Sequence, residues 1–173
     1  AHPNIKESQA NKALVDAVSD MEGVAVFNLY ELSQEIVFNI DEWSKIISDA
    51  SAVIYQFPFY WMSAPSLLKK WQDEVFTFLS KTPAVAGKPL TVVTTTGSEY
   101  EAYRSGGRNR FTTDELLRPY QVNAIHSGMS WQTPIVVYGM GTADAGKNIA
   151  EGANLYKQRV EMLIGNSNAG NNW

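Results

Sequence analysis

The sequence predicts an α/β domain in which a mainly parallel sheet is covered by helices on both faces. Three observations carry this. Short apolar runs alternate with segments of helical periodicity along the whole chain. Two of the runs, SAVIYQF at 51–57 and PLTVVTT at 89–95, are apolar or small almost throughout, as strands buried on both faces require. The chain has 173 residues, 45% of them hydrophobic, enough for one ordinary core without staples. Strands separated by helix-length segments imply right-handed crossovers, and a single domain over 1–173 is expected.

The elements follow in order. Residues 11–18 place Ala13, Leu14, Ala17 and Val18 at helical spacing. Gly23 interrupts, and 24–30 (VAVFNLY) reads as a strand. A short helix is expected at 41–48, with Trp43, Ile46 and Ile47 on one side, followed by the strand at 51–57. Pro65 suits a first helical turn, and Leu67, Leu68, Trp71, Val75, Phe76 and Leu79 then form the stripe of a helix over 66–79. Gly87 precedes the strand at 89–95, with Pro89 at its start. A polar loop spans 96 to about 110, and 113–125 is helical around Pro119. A strand at 135–138 and a helix at 145–164 complete the pattern, and the polar tail GNSNAGNNW is expected to fray. The chain opens on Ala1-His2-Pro3 without a strand before the first helix, whereas doubly wound domains begin with one of about five residues. The expectation is a first strand missing or truncated ahead of Ala1.

Composition narrows the chemistry. There is no cysteine, which excludes disulfides, thiolate metal sites, iron–sulfur clusters and a cysteine nucleophile. With His2 and His126 as the two histidines, no histidine-based zinc site is expected. Fourteen basic against eighteen acidic residues, a net charge of −4, argue against nucleic acid as the partner. No apolar run approaches the ~20 residues of a membrane span, and no signal-peptide pattern is seen at the start.

Four segments could carry function. Ser8, Gln9, Ala10 and Asn11 enter a helix whose free amides suit an anion, though Ser8 also reads as an ordinary cap, and the two readings are compatible. Gln56 to Met62 (QFPFYWM) crowds four aromatics into five positions just past a buried strand, where open α/β sheets bind ligands. Those rings suit a planar ligand, a subunit interface, or folding back over the core. Thr94-Thr95-Thr96-Gly97-Ser98 offers small residues for close backbone approach at another strand end, but neither a P-loop nor the spaced-glycine dinucleotide fingerprint. The loop 99–110, with Tyr100, Tyr103, Arg104, Arg108 and Arg110, suits a lid over an anion or a solvated loop. No Ser-His-Asp or paired-carboxylate constellation stands out, which fits an enzyme whose cofactor carries the chemistry.

These segments resemble the flavodoxin-like NAD(P)H:quinone oxidoreductase family. The resemblance rests on AHPN…SQAN, FPFYWMSAPSLLKKWQDEVF, GKPLTVVTTTGSE, IHSGMSW with QTP, and YKQR. Its short bacterial branch includes FMN-dependent quinone reductases and ancillary flavoproteins of glutathione-gated potassium efflux systems. The resemblance implies a flavodoxin-like three-layer sandwich with five parallel strands in the order 2-1-3-4-5. It assigns His2, Ser8, Gln9, Ala10 and Asn11 to a flavin phosphate. Phe59, Tyr60, Trp61 and Met62 would line the isoalloxazine ring, Thr94, Thr95, Thr96 and Gly97 its pyrimidine edge, and Tyr103 would be the catalytic tyrosine beside it. Thr96 stands where relatives often have glycine. Longer relatives use FAD and carry a C-terminal extension, so FMN is implied here, with NAD(P)H as co-substrate and two-electron, ping-pong transfer to a quinone-like acceptor. A homodimer is implied, each site completed by the second subunit, in the cytoplasm, and peripheral to the inner membrane if a potassium efflux transporter is the partner. The competing readings are a regulatory transporter subunit, a one-electron flavodoxin carrier, which the modest charge and the AHP opening disfavour, azo or nitro reduction, and a homologue that has lost its flavin.

Overall fold

In the computed structural model, residues 1–32 and 37–168 are described. A single 3-10 turn, Ile5–Glu7, leads into α1, Gln9–Asp16. Ser8 caps α1 by accepting the Asn11 amide, which moves the helix start two residues ahead of the apolar periodicity. One helical turn, α2 (Leu29–Leu32), precedes α3 (Ile40–Asp49). Asn39 caps α3 by accepting the amides of Asp41 and Glu42, whose carboxylates also suit the positive end of the helix. Then come β1 (Val53–Pro58) and α4 (Ser66–Trp71), which runs through a π-helical stretch, Gln72–Phe76, into α5 (Thr77–Leu79). β2 is Pro89–Thr95. The helix expected at 113–125 is broken into α6 (Thr113–Leu116), opened by a Thr112–Glu115 capping box, and α7 (Arg118–His126), with Pro119 in its first turn. β3 (Ser130–Trp131), β4 (Ile135–Val137) and α8 (Ala145–Asn168) follow. α8 thus continues through 165–168, where fraying was expected, and residues 169–173 of that tail lie outside the described residues.

The sheet is parallel throughout its named strands. β1 pairs with β2 from Val53↔Leu90 to Pro58↔Thr95. The other edge of β2 pairs first with β3, then with β4. These two short strands are successive pieces of one sheet position, interrupted by the Gln132-Thr133-Pro134 segment, where proline supplies no ladder donor. β2 is buried at every position. One core, including Phe57, Leu68, Trp71, Val75, Leu90 and Val92, lies under α3, α4 and α7. A second, including Leu14, Val93, Val137, Tyr156 and Val160, lies under α1 and α8. Helices therefore cover both faces of an open parallel sheet, as expected.

The strand expected at 24–30 is not formed. Residues 24–28 form no ladder, and Leu29 already begins α2. Val26 and Phe27 are 46% and 39% exposed. The reason is the lack of a neighbour: a strand persists only where its backbone groups are paired. A cavity of about 730 Å³ separates this segment from the edge of β1, and both line it. The described residues thus give a four-stranded sheet, consistent with a truncated form of the expected five-stranded order.

Candidate functional site

Three loops converge where β1 and β2 end, and the register of the two strands places them there. Phe59 N donates to Thr95 O at 2.9 Å, so the loops after β1 and β2 leave the sheet side by side. Asn11, buried at the start of α1, donates from Nδ2 to Thr95 Oγ1 at 3.0 Å, and Gln56 Nε2 donates to Asn11 O at 2.9 Å. These bonds fix the first turn of α1 against the same sheet edge. His2 and Tyr60 bring the opening loop to the aromatic one, with ring centroids 6.4 Å apart. Ligand sites of open α/β sheets lie at this carboxyl edge.

The aromatic loop is a tight turn. Tyr60 and Ser63 exchange backbone hydrogen bonds of 2.8 and 3.1 Å, and Trp61 and Met62 both take positive φ, 48° and 63°. Non-glycine residues adopt that conformation only when their surroundings impose it, so strain is concentrated at the turn. The Tyr120 hydroxyl accepts the Ala64 amide at 3.2 Å and braces it from α7. Trp61 is 97% exposed, while Phe59 packs inward against Phe57 and Tyr103 at 6.3 and 6.2 Å. The loop therefore divides: Phe59 joins the core boundary, and Tyr60, Trp61 and Met62 stand out to solvent.

The threonine run is inward-facing. Thr94 Oγ1 donates to Phe57 O at 2.7 Å, Thr95 Oγ1 accepts from Asn11, and Thr96 Oγ1 donates to Ser98 O at 2.8 Å. All three are buried, so their hydroxyls hold the scaffold. What the loop leaves open is backbone. The amides of Gly97 and Ser98 have no acceptor among the described residues, while the carbonyls of Thr96, Gly97 and Ser98 accept from Met140, Gly141 and Gly139 at 2.8–2.9 Å. That zipper holds the two loops together. A Cβ on Gly141 would lie 3.0 Å from Gly97 O, so glycine permits the close approach.

Open donors recur at the other loops. Among the described residues, neither Gln9 nor Ala10 in the first turn of α1 has an acceptor for its amide, and the same holds for Trp61 and Met62. Asn11 Oδ1 is buried without a donor. Amides at a helix start suit a phosphate, and a buried carbonyl oxygen suits a hydroxylated chain. The open amides of the other two loops suit the polar edge of a planar ring. These donors and acceptors fit a phosphorylated, hydroxylated, flat ligand such as FMN. Burial lowers the His2 imidazole below its usual pKa, and its Nδ1 accepts the Asn4 amide at 3.1 Å.

The structure brings together every site residue named from sequence, with Thr94, Thr95 and Thr96 as supports by their side chains. Sequence reasoning missed Tyr138 and the 139–141 loop. Tyr138 packs on Tyr103 at 5.9 Å and on Tyr100 at 5.3 Å, and shares a 2.7 Å hydrogen bond with Thr113. The available signal was a strand ending in Tyr-Gly-Met-Gly, with two glycines just past it.

A family model described as Flavodoxin-like fold matches residues 1–160. Among curated proteins, the uncharacterized NAD(P)H oxidoreductase YdeQ of Bacillus subtilis is 34% identical over 94% of this chain and 84% of its own. The glutathione-regulated potassium-efflux system ancillary protein KefG of Serratia proteamaculans is 36% identical over 80% of this chain and 78% of its own. Among solved structures, general stress protein 14 of Treponema denticola in complex with FMN superimposes with a TM-score of 0.85 at 28% identity, covering 94% of this chain and 95% of that one.

Proposed function

The chain belongs to the flavodoxin-like fold family, and from that premise we propose that it is an FMN-dependent NAD(P)H:quinone oxidoreductase. The observation that carries the reading is the set of open amides at Gln9–Ala10, Trp61–Met62 and Gly97–Ser98, gathered at one sheet edge with His2 beside them. FMN supplies the two-electron chemistry that no side chain here provides. The protein's part is to bind, orient and shield. α1 holds the phosphate through its first-turn amides, with His2 adding charge once protonated. Asn11 accepts from the hydroxylated chain through Oδ1. Phe59, Tyr60, Trp61 and Met62 would flank the ring, and the fixed amides of Gly97 and Ser98 would offer donors to negative charge at its pyrimidine edge without reorganising. Tyr103, wedged between Phe59 and Tyr138, walls the reacting side and is the residue assigned the catalytic role.

The YdeQ likeness supports the nicotinamide donor, and the FMN-bound relative supports FMN over FAD. The acceptor is a small quinone-like molecule. The protruding Tyr60, Trp61 and Met62 support a homodimer in which a second copy covers the open side of each site. The KefG likeness favours a second partner, a potassium efflux transporter, with the protein held at the cytoplasmic face of the inner membrane. No helix among the described residues is long and apolar enough to cross a membrane. The test is steady-state turnover of a soluble benzoquinone by FMN-loaded protein. Parallel double-reciprocal lines at varied NADPH support the reading. Absence of turnover with either nicotinamide contradicts it.

A further inference from the structure

A second cavity, of about 580 Å³, opens on the far side of Tyr103 from the aromatic loop. It lies between the 100–105 loop, the segment leading into β4 and the outer face of α8. We propose that this cavity receives the phosphorylated adenosine end of the nicotinamide donor and selects the 2′-phosphorylated form, NADPH. The assignment rests on the oxidoreductase reading and adds the location and the specificity of the donor.

The charge of the lining is the first ground. Arg104 and Arg159 face it against Asp114 alone, in a chain whose net charge is −4. The 730 Å³ groove beside β1 differs, with Glu31, Asp49 and His2 and no lysine or arginine among the described residues of its wall. An anion is therefore drawn to the first cavity and not to the second. Both guanidiniums are pre-positioned. Arg159 Nη1 donates to Thr133 O at 2.7 Å and reaches Thr91 Oγ1 at 3.4 Å, which leaves its remaining donors unspent. The Arg104 guanidinium sits 5.4 Å over the Tyr100 ring. A planar fork held in place suits bidentate contact with a phosphate, and two forks suit two phosphates.

The rest of the wall suits a purine. Tyr100 and Tyr138 meet edge to face at 5.3 Å and give an aromatic flank whose Tyr138 hydroxyl is fixed by Thr113. Pro134, Leu155 and Met162 add apolar surface, and Gln158 offers amide groups to a base edge. The volume lies within the range of sites for molecules of nucleotide size, ~300–1,000 Å³. Two ring contacts, Phe59 to Tyr103 and Tyr103 to Tyr138, at 6.2 and 5.9 Å, span from the aromatic loop to this cavity. That is within the reach of an extended dinucleotide.

The test is calorimetric titration of the purified protein with adenosine 2′,5′-bisphosphate, adenosine 5′-monophosphate and inorganic phosphate. The bisphosphate is expected to bind at least about tenfold tighter than the monophosphate. Arg104→Gln and Arg159→Gln should each remove most of that difference. Arg159 also anchors Thr133, whereas Arg104 is exposed and touches the Tyr100 ring alone, so R104Q reads loss of the guanidinium at little folding cost. Absence of bisphosphate binding, equal binding of the two nucleotides, indifference to both variants, or inorganic phosphate binding as tightly as the bisphosphate overturns the assignment. The titration needs neither flavin nor turnover, so a failure to bind FMN does not blur it. Conversely, a reductase that oxidises NADH and NADPH equally, with R104Q unchanged, overturns the pocket and leaves the oxidoreductase reading standing.

Discussion

His2 shows how the site's chemistry couples to stability. Burial lowers its pKa from the usual 6.5, so the folded chain resists a proton that the unfolded chain accepts. Stability is therefore predicted to fall as pH drops from about 6.5 through the lowered value, and His2→Asn should flatten that stretch of the thermal-melt profile. A bound phosphate reverses the bias by favouring the charged ring, so FMN binding near pH 6 should take up a proton, seen as buffer-dependent heat in calorimetry. Asn11 makes a second prediction at this scale. Its buried side chain joins α1 to Thr95, and Asn11→Ala leaves Thr95 Oγ1 without that donor. The expected cost is about 1–3 kcal/mol in chemical denaturation, with weaker FMN binding. Both residues stood out in the sequence as parts of a helix entry. The sequence did not reveal that the threonine hydroxyls are spent internally, because a strand end rich in Thr reads the same whether its side chains face a ligand or a neighbouring strand.

At the level of elements, α8 and β4 depend on a glycine. A Cβ at Gly152 would lie 2.4 Å from Val137 Cγ2, and valine is too stiff at χ1 to yield. Gly152→Ala is predicted to force α8 off the sheet, lowering stability by about 1–3 kcal/mol in a denaturant melt. Most elements were legible because helix periodicity and doubly buried strands are local signals: 51–57, 89–95 and the stripe over 66–79 correspond closely to β1, β2 and the continuous α4 to α5 segment. The exception at 24–30 is instructive. VAVFNLY has the composition of a strand, but a strand is a pairing, and composition cannot supply the partner. β3 escaped notice for the opposite reason: two residues beside β2 carry no periodicity of their own.

For the whole molecule, the sheet is asymmetric. One edge of β2 is closed by β3 and β4, while the free edge of β1 borders the 730 Å³ groove, with Ala1 N donating to Gln56 O at 2.6 Å at one end. The groove is lined by Val24, Val26, Phe27, Ile54 and Val160, among others, and suits an extended apolar segment parallel to β1. The site was legible while the strand expected at 24–30 was not. The three loops hang from β1, β2 and α1, which local sequence signals mark, whereas 24–28 forms no ladder with the free edge of β1.

The central claim, a flavin site built at the carboxyl edge of β1 and β2, is tested most directly by the visible spectrum of the purified protein titrated anaerobically with FMN and then NADPH. Saturable binding of FMN, weakened in N11A, followed by bleaching of its blue absorbance on adding NADPH, is the predicted result. Failure to bind FMN even in excess would contradict the account and leave the open amides at the three loops without an assigned ligand.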